Sequence, residues 1–129
     1  MRESQSTIPH PEQFYEQVWQ FTRQIPPGRV ATYGQLAQLI PCPAGVEPDA
    51  YATFGARWVG NGMAACPADV PWQRVINSQG KISQRAGAEK QRILLENEGV
   101  LFVRDKVNLK AYQWRGPGEE AQLRQARLF

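Results

Sequence analysis

Pro71-Trp72 followed by Gln73-Arg74-Val75-Ile76 constrains this chain more than any other stretch. Proline fixes its own φ and lacks an amide proton, so the backbone enters in one direction and presents Trp72 at a rigid corner. Val75 and Ile76 are an apolar β-branched pair suited to a buried strand. Asn77-Ser78-Gln79-Gly80 then has the composition of a turn, with Ile82 opening a further extended run. A core tryptophan beside a hairpin would satisfy all of this. What else the corner does depends on the residues around it.

Residues 1–11 are polar, with prolines at Pro9 and Pro11, and form an N-terminal tail. From Glu12 onward, Phe14, Val18, Trp19, Phe21 and Ile25 recur at helical spacing, and Pro26-Pro27-Gly28 stops the helix they predict. Arg29-Val30-Ala31 is a short extended link, and Thr32 suits the N-cap of a helix over residues 33–40. Residues 41–53 hold Pro41, Pro43, Gly45, Pro48 and Asp49 and predict a loop, followed by a helix over residues 54–65. Gly60 and Gly62 cost that helix stability, so they require a reason. One reason is close approach of another backbone; the other is tight helix–helix packing. Two helices joined by a loop, the first headed by Tyr33, have helix-turn-helix organisation with an over-long turn. Residues 88–97 predict a helix with Ile93, Leu94 and Leu95 inward, ended by Glu98-Gly99 as a glycine cap. Residues 100–103 predict a strand, Asp105-Lys106 a turn, and residues 107–114 a final extended segment. Gly116-Pro117-Gly118 sets off a charged C-terminal stretch, so the domain spans residues 12–115 and the tail 116–129.

Fifteen Lys and Arg against twelve Asp and Glu give a net charge of +3, and only Lys81, Lys90, Lys106 and Lys110 are lysines. Arginine suits bidentate phosphate contacts and stacking on base planes, so the bias leans toward a polyanionic partner. Cys42 and Cys66 lie beside prolines and make no disulfide framework. His10 is the single histidine, which leaves no Cys/His metal constellation, and neither metal nor other cofactor is expected. No stretch has the length of a membrane span or the core of a signal peptide. The expectation is an intracellular monomer: cytoplasmic at a bacterial nucleoid, or nuclear in a eukaryote.

Thr32-Tyr33-Gly34-Gln35-Leu36-Ala37, Ala56-Arg57-Trp58-Val59-Gly60, Pro71-Trp72-Gln73-Arg74-Val75 and Asn97-Glu98-Gly99 occur in this order. Together they resemble the C-terminal DNA-binding domain of O6-alkylguanine-DNA alkyltransferases, over residues 14–114. That family carries Pro-Cys-His-Arg-Val at its central motif, where the cysteine takes the alkyl group from a flipped guanine. Trp72 stands in the cysteine's place, which resembles the alkyltransferase-like proteins, binders of the same lesion that do not repair it. Tyr112-Gln113-Trp114 also resembles the end of bacterial alkyltransferase-like chains. The resemblance implies a mostly α (α+β) fold: a winged-helix-like helix-turn-helix domain with a small β-hairpin, or wing.

By the same resemblance, the helix over residues 54–65 enters the minor groove of duplex DNA, with Gly60, Asn61 and Gly62 at the interface. The two glycines would permit close backbone approach. Arg57 would fill the gap left by the extruded base, and Tyr33 would push on its 3′ phosphate; a planar cation can stack in such a hole and bond to the orphaned partner. Trp72, Val75, Ser83 and Arg85 would line the lesion pocket. Arg85 falls where alkyltransferase-like proteins place an arginine against the flipped base and true alkyltransferases a tyrosine. As a donor without an acceptor, it would favour the electron-rich edge of an alkylated purine.

The chemistry of the corner agrees. Alkyl transfer needs a thiolate, made by a base that a third group orients. An indole offers a donor N–H and no nucleophile. Gln73 replaces the titrating histidine, which most alkyltransferase-like proteins keep, and leaves Glu98 a helix-end carboxylate. Arg74 would bridge the motif to a carboxylate. Two further departures are the long inter-helix segment, residues 43–53, and a hinge-bracing asparagine whose place near Cys66 has no equivalent. The implied function is a non-enzymatic sensor that binds O6-alkylguanine in double-stranded DNA, flips the base and marks it for nucleotide excision repair proteins. The alternatives are an active alkyltransferase using Cys42 or Cys66, neither of which precedes a His-Arg-Val, and a general winged-helix DNA-binding protein without lesion readout.

Overall fold

A computed structural model describes residues 7–119; the predictions for residues 1–6 and 120–129 lie outside the described residues. Helix α1 runs from Pro11 to Arg23, with proline in its first turn and Glu12 beside the positive helix end. Phe14, Val18 and Thr22 form its buried stripe at four-residue spacing. Ile25, just beyond the helix, is also buried.

The residues expected as a link hold strand β1, Ala31–Thr32, paired in parallel with β2, Val75–Ile76. Ala31 faces Val75 and Thr32 faces Ile76, and all four are buried. Thr32 then caps α2, Tyr33–Leu39, through a capping box: its Oγ1 accepts from the Gln35 amide at 3.0 Å, and Gln35 Oε1 accepts from the Thr32 amide at 3.3 Å.

Helix α3 spans Pro48–Ala64, so it begins well before the expected residue 54. By composition, Pro48 and Asp49 read as loop signals. In place they are a first-turn proline and a first-turn acid, which start a helix rather than break one. The connection between α2 and α3 is therefore residues 40–47, shorter than expected. Gly55, Trp58, Val59 and Gly62 are the buried stripe of α3, at three- and four-residue spacing.

Ile82 starts no strand. After β2, Asn77 closes the turn, accepting from the Gly80 amide and donating to Lys81 O, both at 3.0 Å. Gly80 has φ +79°, and a Cβ there would stand 2.5 Å from Val107 O, so glycine is required. Helix α4, Ala88–Asn97, buries Gln91 and Leu95, while Ile93, expected inward, is 56% exposed. Its end is a Schellman motif: Gly99 at φ +95° donates to Glu96 O, and Val100 donates to Leu95 O, both at 3.0 Å.

Strands β3, Phe102–Val103, and β4, Lys106–Val107, form the expected hairpin. Its turn residues are Arg104 and Asp105, both at positive φ, one position earlier than expected. The segment expected to be extended holds a one-turn helix, α5, Leu109–Tyr112, capped by the Asn108 side chain. Only its end is extended: Gln113 bridges Val30, and Trp114 N donates to Val30 O at 2.7 Å.

Two apolar clusters result. One lies among α1, α2 and α3 and includes Phe14, Leu36, Trp58, Val75 and Trp114. The other joins Val30, Ile76, Leu95, Val100 and Val107 under the hairpin. Each fully buried Leu, Val or Phe stabilises the fold by roughly 1.5–3 kcal/mol. Glu119, expected in the tail, is 3% exposed and holds Arg29 through two hydrogen bonds of 2.8 and 3.1 Å, so the packed fold continues past residue 115.

Candidate nucleic-acid interface

The solvent face of α3 is the complement of its buried stripe. Thr53, Ala56, Arg57, Asn61 and Ala64 are exposed and Gly60 is half-buried. Arg57 is the one long side chain on this stripe. Its guanidinium sits 5.5 Å from the centre of the Phe54 ring and makes no ion pair among the described residues. Arg23, Arg29, Arg74 and Arg92 are each tied to a carboxylate, so Arg57 is among the cations left available. Tyr33, first residue of α2, lies against the same surface: a Cβ at Gly60 would be 3.9 Å from two of its ring atoms. The structure thus brings Tyr33, Arg57, Gly60 and Asn61 to one exposed helix face.

Gly62 is not on that face. It is buried, its carbonyl accepts from Trp19 Nε1 at 2.9 Å, and a Cβ on it would stand 2.8 Å from Tyr15 Cδ1. Tight packing of α3 on α1 explains this glycine, and its expected place at a DNA interface is corrected.

The corner at Pro71 is an inverse γ-turn. Pro71 has φ −76° and ψ 68°, and Trp72 N donates to Val70 O at 2.7 Å. A single 3₁₀ turn, Trp72–Arg74, then delivers the chain into β2. Trp72 is half-buried. Val75, expected to line a pocket, is 1% exposed and belongs to the core, because the strand pairing with β1 turns it inward; it is a support for the corner and not a contact surface.

Behind the corner, Glu98 is far from idle. Its carboxylate accepts from Arg74 Nε at 3.1 Å and Nη2 at 2.9 Å, from Gln73 Nε2 at 2.9 Å and from the Gly28 amide at 3.1 Å. Arg74 Nη1 also donates to Ile25 O at 2.9 Å. Burial pushes the Glu98 carboxyl up, but the hydrogen bonds from Arg74, Gly28 and Gln73 outweigh it and hold it below the ordinary carboxylate range. The expected Arg74–carboxylate bridge is present, and the expectation of Glu98 as a mere helix-end carboxylate is corrected, since it also fixes the Gln73 amide.

Ser83 and Arg85 come together in the loop before α4. Arg85 Nη1 donates to Ser83 O and Nη2 to Gln91 Oε1, both at 3.1 Å, and Arg85 remains exposed. Gln91 is not among the residues that the sequence singles out; its signal there is a glutamine four residues before Leu95, on the helix face that α4 buries. Cys42 is exposed and Cys66 half-buried, and burial pushes the Cys66 thiol up, away from the reactive thiolate. An apolar cavity of about 580 Å³, lined by Leu101, Val103, Lys106, Leu109 and Tyr112 among others, lies against the hairpin and shares none of the expected pocket residues.

Residues 13–100 match the family described as 6-O-methylguanine DNA methyltransferase, DNA binding domain. The chain belongs to this family. The chain is 37% identical over 114 residues to Alkyltransferase-like protein 1 of Schizosaccharomyces pombe, covering 81% of this chain and 96% of that protein. It is 36% identical over 108 residues to a DNA base-flipping protein of Vibrio parahaemolyticus, covering 81% and 98% respectively. A crystal structure of S. pombe Atl1 in complex with damaged DNA containing O6-carboxymethylguanine superposes with a TM-score of 0.66 at 37% identity, over 81% of this chain and 96% of that one. The mostly α fold with a small hairpin is thus the fold of this methyltransferase DNA-binding domain.

Proposed function

We propose that this protein binds duplex DNA containing O6-alkylguanine, turns the damaged base out of the helix and holds it without removing the alkyl group. The observation that carries this reading is the corner itself. On the resemblance of Pro71-Trp72-Gln73-Arg74-Val75 to the family's Pro-Cys-His-Arg-Val, Trp72 stands for the acceptor cysteine, and the neighbouring Gln73 is bound to Glu98 through an amide that does not titrate. Trp72 offers no thiol, and Gln73 offers no titrating nitrogen to make one a thiolate. The exposed face of α3, with small residues flanking Arg57, supports entry into a narrow groove, and Tyr33 beside Gly60 supports a contact with the backbone at the extruded nucleotide. Similarity to proteins named for base flipping, and to one crystallised on alkylated DNA, supports the same reading. A bound but unrepaired lesion calls for a second activity to excise it, so this reading includes a handover to nucleotide excision repair proteins.

Fluorescence anisotropy with two short duplexes that differ by one O6-methylguanine tests the reading. The lesion duplex is expected to bind at least several-fold tighter at a fixed salt concentration, and Arg57→Ala to weaken both duplexes. Equal affinity for the two duplexes would reduce the protein to a general DNA-binding domain.

A further inference from the structure

Gln91 is 0% exposed, at the inner face of α4, yet it is polar. Its two ends do different things. Nε2 donates to the Val75 carbonyl at 2.9 Å and to the Gln73 carbonyl at 3.2 Å, and Oε1 accepts from Arg85 Nη2 at 3.1 Å. The neighbours dictate this orientation: two carbonyls demand a donor and a guanidinium demands an acceptor. One buried amide therefore ties the backbone on either side of Arg74, immediately after Trp72, to the guanidinium of Arg85. Arg85 has only one other partner among the described residues, the Ser83 carbonyl within its own loop. Without Gln91, a long and exposed side chain would be held by its own loop alone.

We propose that Gln91 is a positioning residue for lesion selectivity: it sets Arg85 at a fixed place relative to the Trp72 corner, so that the two sides of the lesion site act as one unit. The inference rests on the lesion-binding reading above. It extends that reading by naming a residue that touches no DNA and yet sets the discrimination between alkylated and normal guanine. A wandering arginine contributes phosphate attraction to any duplex; a fixed one can address a particular purine edge.

Gln91→Lys separates the two ends of the amide. Lysine keeps a donor for the Gln73 and Val75 carbonyls but offers Arg85 no acceptor and a like charge. The readout is the affinity ratio between the O6-methylguanine duplex and its guanine counterpart, measured for the unaltered protein, Gln91→Lys, Arg85→Ala and the double variant. Gln91→Lys is expected to lower the ratio by the same factor as Arg85→Ala, and the double variant to lower it no further. A Gln91→Lys protein with an unchanged ratio, or one weakened equally for both duplexes, would overturn the inference while leaving lesion binding standing. A ratio of one in the unaltered protein would remove lesion binding and the inference with it. Arg85→Ala, at an exposed position, gives a second reading that does not depend on how Gln91 variants fold. Adding the lesion duplex should shift the Gln91 side-chain amide resonances in the unaltered protein and not in Arg85→Ala; equal shifts in both would overturn the inference.

Discussion

Glu98 accepts hydrogen bonds from two side chains and one backbone amide, and its carboxyl is depressed below its ordinary value of 4.5 by Arg74, Gly28 and Gln73 against the opposing effect of burial. A carboxyl whose folded value lies below its unfolded value adds stability that is complete above the ordinary range and is lost as pH falls through the depressed one. Glu98→Gln is therefore expected to cost about 1–3 kcal/mol at neutral pH. In thermal melts its deficit should narrow as the pH drops below 4.5; a deficit constant with pH would assign the loss to packing. The same carboxylate makes a prediction about chemistry. Trp72→Cys alone restores a thiol but no base, whereas Trp72→Cys with Gln73→His places an imidazole where Glu98 now holds an amide at 2.9 Å. Intact-protein mass after incubation with an O6-methylguanine duplex should show a faster methyl gain for the double variant than for Trp72→Cys. Equal rates would mean that Glu98 and residue 73 play no part in activating a thiol. The sequence made a carboxylate partner for Arg74 legible, because a conspicuous arginine in the motif needs a counter-charge, but not that the partner is Glu98, which lies 24 residues further on. It did not reveal that Gln73 inherits the carboxylate, since an amide that accepts and donates suits many surroundings.

At the scale of elements, α3 uses its two glycines for opposite ends. Gly62 lets α3 close on Tyr15 of α1, and Gly60 keeps the outer face low beside Tyr33. Gly62→Ala should lower stability by roughly 1–3 kcal/mol through overpacking, visible as a lower melting temperature. Gly60→Ala meets only ordinary contacts and gains up to about 1 kcal/mol of helix propensity, so the protein should melt no lower while binding duplex DNA more weakly. Full DNA affinity in Gly60→Ala would detach this face from the duplex. Both glycines stood out in the sequence as unexplained costs, but their separate reasons depend on which way each Cα faces after α3 has turned. The early start of α3 was hidden for a similar reason: Pro48 and Asp49 suit a loop or a first helical turn equally well, and the choice falls to Tyr51, whose hydroxyl reaches the Ala37 and Ile40 carbonyls at 2.6 and 3.1 Å and anchors that turn to α2.

Across the whole molecule, long-range hydrogen bonds join the parts that the corner and α3 depend on. Gln35, which caps α2 behind Tyr33, also donates to Trp114 O at 2.6 Å and accepts from Gln113 at 2.8 Å, so the end of the described chain steadies the start of the helix that presents Tyr33. Arg29 and Glu119 close the same end. These links join residues some eighty positions apart, which local periodicity cannot register; α1, α2, α4 and the hairpin follow short-range patterns that the sequence displays, whereas the single turn of α5 is too short to show one. On the proposed function, this assembly holds an alkylated base and leaves it alkylated. Intact-protein mass spectrometry after saturating the unaltered protein with an O6-methylguanine duplex, together with analysis of the recovered DNA, tests it most directly. An unchanged protein mass and a lesion still present in the DNA are expected; a protein heavier by one methyl group, with normal guanine recovered, would overturn the proposed function.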